Sequence, residues 1–269
     1  MSSVDAGTKG VALVTGASGS IGASIARTLA KDGYHVVVHY GQNKYQAEKL
    51  CHQLRSEGHP CTAAHADLEA PEGPRVLIEA VDRIIAEDTS TPLTVVVNNA
   101  ALLLGPSLAD ATPAEFDRYL AINLRAPFFL TQLAADRMGP GSSIVNISSA
   151  GAHFPSRSDT VYAISKAALE ALTDQSAALL AERGIRVNTV IPGPTDTAHP
   201  ALEVPAVRQH LASIAAFGEL GEVADVAHAV SYLVSDQARR STGTRLDVSG
   251  GSTFRGLTTN RGSWREDLI

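Results

Sequence analysis

Tyr162 and Lys166 lie four residues apart in a stretch with helical periodicity, so a phenol and an ammonium share one helix face. A tyrosine by itself titrates near about 10. A neighbouring cation lowers that by roughly 1–3 units, toward the range where a side chain can exchange a proton at neutral pH. The same spacing recurs at Tyr40/Lys44 and Tyr45/Lys49, so spacing is not decisive. Context separates Tyr162. It follows a strand-like run ending Asn146-Ile147-Ser148-Ser149, and ligands gather at the C-terminal ends of parallel strands. Either Ser148 or Ser149 can loop back to set a hydroxyl beside the phenol.

A second set of residues suits phosphate. The run Val11–Thr15 leads into Gly16-Ala17-Ser18-Gly19-Ser20-Ile21-Gly22 and then a helix. Glycines permit the tight turn and close approach of a pyrophosphate, which the free N–H groups of the helix start bind. The expected contacts are Gly16, Ser18, Ser20, Ile21 and Gly22. Units that bind NAD carry an acidic residue roughly 20 positions on, which holds the ribose 2′-hydroxyl. Here the second strand ends His39-Tyr40-Gly41-Gln42-Asn43-Lys44, without a carboxylate. Tyr40, Asn43 and Lys44 are therefore assigned to the cofactor edge, and the cofactor is read as NADP(H). A solvated helix-start role for Lys44 stays open.

The elements that must position these groups follow from periodicity. Strands are expected at Val11–Thr15, His35–Tyr40, Cys61–His65, Thr94–Asn98, Ser143–Ile147, Arg186–Ile191 and Arg245–Val248. Runs such as Val36-Val37-Val38 are apolar throughout, as in parallel strands covered on both faces. Helices are expected at Ile21–Lys31, Tyr45–Glu57, Arg75–Glu87, Ala114–Met138, Val161–Arg183 and Val223–Val234. The alternation predicts an α/β fold: a single Rossmann-like, doubly wound parallel sheet of about seven strands. One domain is read over residues 1–251, with a tail at 252–269.

Composition narrows the function classes. Net charge is −6, from 22 basic and 28 acidic residues, with no basic patch for nucleic acid. No apolar run is long enough to span a membrane. The start, MSSVDAGTKG, lacks the pattern of a secretory leader. The expected location is cytoplasmic. Cys51 and Cys61 are expected as separate reduced thiols, and the nine histidines show no metal-binding spacing.

In order along the chain stand the glycine loop, Asp67-Leu68, Asn98-Asn99-Ala100, Asn123, Ser149, Tyr162 with Lys166, and Pro192-Gly193. With that ordered set the chain resembles the short, single-domain branch of the short-chain dehydrogenase/reductase family, over about residues 9–251. Its character is that of 3-oxoacyl-carrier-protein reductases and related NADP(H)-dependent ketoreductases. The resemblance implies an oxidoreductase that moves a hydride between NADP(H) and a carbonyl or secondary alcohol. Tyr162 would act as general acid and base, and Ser149, 13 residues earlier, would orient the oxygen. Lys166 would hold the nicotinamide ribose, and Asn123 would support a proton relay. Asp67 and Leu68 would border the adenine. Asn98, Asn99 and Ala100 would secure the cofactor edge, and Pro192, Gly193, Thr195 and Thr197 would lie by the nicotinamide. Asp67 as a turn residue, Asn123 as a core amide and Thr197 as plain loop remain alternatives.

The sequence departs from the family at several points. The glycine loop reads TGxxGxxG, the spacing of the extended branch that holds epimerases and dehydratases, with Ser20 where the short branch has glycine. Ala101 stands where glycine is usual, Ser249 replaces an aspartate, and an arginine near Leu220-Gly221 is missing. Two other readings therefore stand beside the ketoreductase: a non-catalytic NADP(H)-binding regulator, and an epimerase or dehydratase with retained cofactor. The resemblance also implies a homo-oligomer, tetramer or dimer. Thr195–Phe217 is read as a substrate lid. It carries Arg208 as its only cation, and Arg157 lies in the loop before Tyr162, so a small or medium ketone ranks above an acyl-carrier-protein thioester.

Overall fold

A computed structural model of the chain describes residues 8–89, 91–155, 158–197 and 199–254. Arg157 and the tail beyond Phe254 lie outside the described residues.

Seven parallel strands form one sheet: β1 (Val11–Val14), β2 (His35–Tyr40), β3 (Cys61–His65), β4 (Leu93–Asn98), β5 (Ser143–Ile147), β6 (Arg186–Pro192) and β9 (Arg245–Val248). Their order across the sheet is β3-β2-β1-β4-β5-β6-β9. The main strand boundaries match the apolar runs to within a residue at each end. The chain winds outward from β1 to β3, then crosses back to place β4 on the other side of β1. That reversal opens a crevice beyond the C-terminal ends of β1 and β4.

Both faces are covered, which is why the strands read apolar throughout. On one face Val95 and Val97 of β4 pack with Ile25 and Leu29 of α1 (Ser20–Lys31) and with Val230 of α8 (Val223–Val234). On the other, Val96 packs with Leu77 of α3 (Gly73–Ile84) and with Leu130 of α5 (Ala126–Ala135). The alternation of side chains along a strand sends neighbouring valines to opposite layers. Helix α2 (Lys44–Ser56) returns the chain to β3 and sets Cys51 against Cys61, both buried. The two are joined as a disulfide with a Cα–Cα distance of 5.1 Å, which corrects the expectation of separate thiols.

The single helix expected at Ala114–Met138 is broken. It comprises α4 (Pro113–Leu120), a π-helical turn over Ala121–Arg125, and α5. Pro127 explains the break: it lacks an N–H, and its ring crowds the carbonyl four residues back, at Asn123. A widened turn relieves both problems. The lid region was not legible as structure. It forms β7 (Thr195–Asp196), paired with β8 (Gly221–Glu222), and the short helix α7 (Pro205–Ala212). These pieces are too short, and α7 too exposed, to leave a periodic apolar signal. The remaining helix, α6 (Thr160–Leu180), carries Tyr162 and Lys166. Ser252 of the expected tail is buried, its hydroxyl donating to the Ser249 carbonyl at 2.8 Å. Among the described residues, no helix is long and apolar enough to cross a membrane, and no group of three metal-ligating side chains forms.

Candidate active site

The glycine loop lines the crevice at β1. Gly16 has φ +63°, and a Cβ there would lie 2.8 Å from the Ala100 backbone. A Cβ on Gly22 would lie 2.6 Å from both Asn99 Nδ2 and the Gly16 carbonyl. Only glycine fits at these two positions. Gly19 is different: it is exposed, and its Cβ would meet only the Gly16 carbonyl, at 3.4 Å. Ser20 begins α1 and is exposed. The odd spacing therefore leaves the loop intact, because the displaced glycine is not one the geometry needs. The first intrahelical bond reaches back from Ala23 to Gly19, so the N–H groups of Ser20, Ile21 and Gly22 stand at the open helix end.

Asn99 fastens the loop to β4. Its side chain donates to the Thr15 carbonyl at 2.8 Å, while the backbone N–H groups of Asn99 and Ala100 both donate to the Thr15 hydroxyl at 2.9 Å. Asn98 faces the interior and donates to Asn146 at 2.8 Å. His39 was not picked out from the sequence, yet it ties two cofactor loops together. Its Nδ1 accepts from the Gly16 N–H, and its Nε2 donates to the Ala66 carbonyl, each at 3.0 Å. Burial holds its pKa down to about 4, so the ring stays neutral in the one tautomer that makes both bonds.

The other predicted cofactor residues divide. Tyr40 is buried and packs against His65 with ring centroids 5.3 Å apart. Asn43 caps α2, accepting from the Gln46 N–H at 3.2 Å. Lys44 is exposed in the first turn of α2, 3.5 Å from Glu48. Asp67 accepts from the Glu69 N–H at 2.9 Å, the turn role kept open above. The Leu68 side chain belongs to the core, so it offers only backbone to the crevice. Pro192 ends β6, and a Cβ on Gly193 would lie 2.5 Å from the Ser249 carbonyl. Thr195 donates to the Gly193 carbonyl at 2.9 Å. Thr197 is half-buried in the loop that follows β7.

Tyr162, Ser149 and Lys166 meet at the end of β5. The Ser149 hydroxyl stands near enough to the Tyr162 phenol to pull its pKa downward. Ser148 is committed elsewhere, to Glu170 at 2.5 Å, so the hydroxyl beside the phenol is that of Ser149. Lys166 is buried, donates to the Ile147 carbonyl at 2.7 Å, and sits 5.8 Å from the Tyr162 ring centroid. Burial brings its pKa down to about 8. The phenol does not follow the expected downward direction. Burial raises its pKa, against the opposing pull of the Ser149 hydroxyl. Gly151, also unpredicted, reaches this corner through its backbone, donating its N–H to Ser149 Oγ at 3.1 Å; a Cβ there would make only ordinary contact with Ser149 Oγ at 3.4 Å and the Tyr162 ring at 3.8 Å.

Asn123 lies in the π-helical turn, fully buried. Its side chain accepts from the Leu102 N–H at 2.8 Å and donates to the Leu102 carbonyl at 3.1 Å and to Ser165 at 3.0 Å. Ser165 in turn donates to the Tyr162 carbonyl at 2.7 Å. Asn123 thus clamps the loop after β4 to the helix that bears Tyr162. Tyr119 helps, its hydroxyl bridging the carbonyls of Leu103 and Leu104 at 2.9 and 3.0 Å.

An open parallel sheet with a glycine loop at its first strand–helix turn, and a tyrosine, a serine and a lysine gathered at its strand ends, has the architecture of a nucleotide-dependent oxidoreductase. A family model described as enoyl-(acyl carrier protein) reductase matches residues 16–253. The chain belongs to the short-chain dehydrogenase/reductase family. It is 34% identical over 248 residues to the short-chain dehydrogenase/reductase FrzI of Cladobotryum sp, covering 89% of this chain and 94% of that one. It is 33% identical to a 3-oxoacyl-[acyl-carrier-protein] reductase of Staphylococcus aureus, covering 89% and 96%. Among solved structures, it superposes on the angucycline C-6 ketoreductase LanV with bound NADP at a TM-score of 0.89 and 37% identity, covering 92% and 96%. The promiscuous reductase LugOII, which catalyses a keto-reduction at C1, gives the same TM-score and identity, covering 91% and 98%.

Proposed function

We propose that the protein is an NADP(H)-dependent ketoreductase that reduces a ketone with an apolar body. The observation that carries this reading is the grouping of Ser149, Tyr162 and Lys166, whose Nζ lies 5.8 Å from the Tyr162 ring centroid, at the strand ends beside the glycine loop. The cradle left by Gly16 and Gly22 and the open start of α1 suit the pyrophosphate. The start of α2, with Lys44 in its first turn and no carboxylate nearby on β2, suits a 2′-phosphate. Bound there, the cofactor supplies the hydride chemistry at the carbonyl carbon.

The side chains handle the oxygen. Ser149 donates a hydrogen bond to it, and Tyr162 delivers its proton. The raised phenol pKa keeps Tyr162 in its acid form, the form reduction requires. An ammonium has three donors. Lys166 uses one on the Ile147 carbonyl, which anchors it, and turns the others to the ribose hydroxyls. Asn123 holds Leu102 and, through Ser165, the backbone of Tyr162 in place.

A surface cleft of about 480 Å³ lies on the helix that bears Tyr162, lined by Ser107, Leu108, Phe154, Thr160 and Ile164 but not by Tyr162 itself, and its largely apolar wall suits a substrate with an apolar body; an angucycline C-6 ketoreductase is among the similar structures. The protein acts as a homo-oligomer, tetramer or dimer, in the cytoplasm, where reduced nicotinamide is regenerated. The buried Cys51–Cys61 pair is shielded from reductants there.

NADPH consumption by the purified protein with a panel of simple and polycyclic ketones, Tyr162→Phe as control and NADH in parallel, tests the reading. Turnover with NADPH that disappears in the mutant supports it. Equal use of NADH removes the NADP(H) assignment, and turnover that survives in Tyr162→Phe removes the mechanism.

A further inference from the structure

A second cluster lies behind the site. Glu170 of α6 is buried, and its carboxylate gathers three partners. Oε1 accepts from the Ser148 hydroxyl at 2.5 Å and from His153 Nε2 at 3.0 Å. Oε2 accepts from Arg245 Nε of β9 at 3.1 Å, and the same guanidinium reaches Asp174 at 2.5 Å. A carboxylate so far from water demands such partners, and Arg245 balances its charge.

The two residues on Oε1 are the ends of one loop. Between Ser148 and His153 lie Ser149 and the 3-10 turn Ala150–Ala152. That turn orients Ser149, whose Oγ accepts from the Gly151 N–H at 3.1 Å. Glu170 does not touch the phenol, the cofactor crevice or the cleft. It grips the loop on both sides of the hydroxyl that the phenol uses.

We infer that Glu170 is a positioning residue for the reaction, acting through Ser149 by pinning both ends of its loop, with Arg245 holding the carboxylate. This rests on the reading of Ser149 as the group that binds the carbonyl oxygen. A displacement of about 1 Å at a reacting centre costs on the order of 10²-fold in rate, so loosening this loop falls on kcat.

The test is a double-mutant cycle on the full-length enzyme with NADPH and a ketone substrate. Glu170→Ala should lower kcat by about 10- to 100-fold while leaving the NADPH Kd within about twofold. In a Ser149→Ala background, the same substitution should change kcat by less than about twofold, because the route through the Ser149 hydroxyl is gone. Losses that multiply in the double mutant, or an unchanged kcat in a folded Glu170→Ala, overturn the inference. Should Glu170→Ala fail to fold, Ser148→Ala and His153→Ala each remove one grip. Each is expected to cost about 3- to 10-fold in kcat, again only when Ser149 is present. Full activity in Ser149→Ala alone would bring down the reading of the site itself, a result distinct from failure at Glu170.

Discussion

Lys166 and Tyr162 divide the electrostatic work differently from what a tyrosine–lysine pair on one helix face suggests. Burial acts on both side chains, and in both it disfavours the charged form. The phenol is thereby held as an acid, and the ammonium becomes the group that titrates in the working range, near pH 8. NADPH affinity should therefore weaken as pH rises through about 8, when Lys166 gives up its proton. The same limb should persist in Tyr162→Phe, measured by NADPH fluorescence titration. A limb that vanished with the phenol would assign it to Tyr162 instead. His39 makes a prediction about stability. Its folded pKa of about 4 lies below the unfolded value of about 6.5. The unfolded chain then binds the extra proton first. Stability is full above about pH 6.5 and declines as pH falls toward 4, by about 3 kcal/mol in all. His39→Asn keeps an acceptor for the Gly16 N–H but cannot charge. Its denaturant-midpoint profile should be flatter than the parent's across that window.

The glycine loop shows how an element can tolerate an unusual sequence. Motif spacing treats its glycines as equivalent, whereas the fold gives them different neighbours. Gly22→Ala forces a Cβ to within 2.6 Å of Asn99 and the Gly16 carbonyl, so NADPH binding should fall by at least about tenfold. Gly19→Ala, in open space with extended backbone, should bind within about threefold of the parent. Calorimetric titration of the two variants checks both statements. The π-helical turn is the second instructive element. Pro127 was visible in the sequence, but helical periodicity continues through it. What the broken ladder achieves, the seating of Asn123 against Leu102 and Ser165, depends on a loop from a different strand. Asn123→Ala leaves the Leu102 N–H and carbonyl and the Ser165 hydroxyl without this partner. It should destabilise the protein by roughly 2–4 kcal/mol and lower turnover, as read by thermal melting beside the activity assay.

Over the whole molecule, several of the apolar side chains left outside the two cores sit on α5 and α6, which pack against each other. Phe128 and Phe129 on α5 are 46% and 40% exposed, and Ile164 and Leu179 on α6 are exposed as well. Large apolar side chains exposed on packed helices are the kind of surface through which copies associate. If α5 and α6 meet a second copy, Phe128→Lys with Phe129→Lys should lower the mass measured by light scattering. An unchanged mass would place the interface elsewhere or leave the chain a monomer.

The seven main strands, the glycine turn after the first of them and the grouping of Tyr162 and Lys166 with the end of the fifth strand were legible because each rests on local spacing: apolar runs, glycines at a strand–helix turn, and a pair on one helix face. The choice of Ser149 over Ser148 became physical only when Glu170 was found holding the other hydroxyl. The roles of His39, Gly151 and Glu170, the pairing of Cys51 with Cys61 and the lid elements were not legible. Each depends on partners brought in from other elements, and the direction of the Tyr162 pKa depends on how deeply the closed fold buries it. Sequence determines what a side chain can do within a turn or two of itself. Burial and long-range neighbours, which set hydrogen-bond partners and charge, exist only once the chain has closed around them.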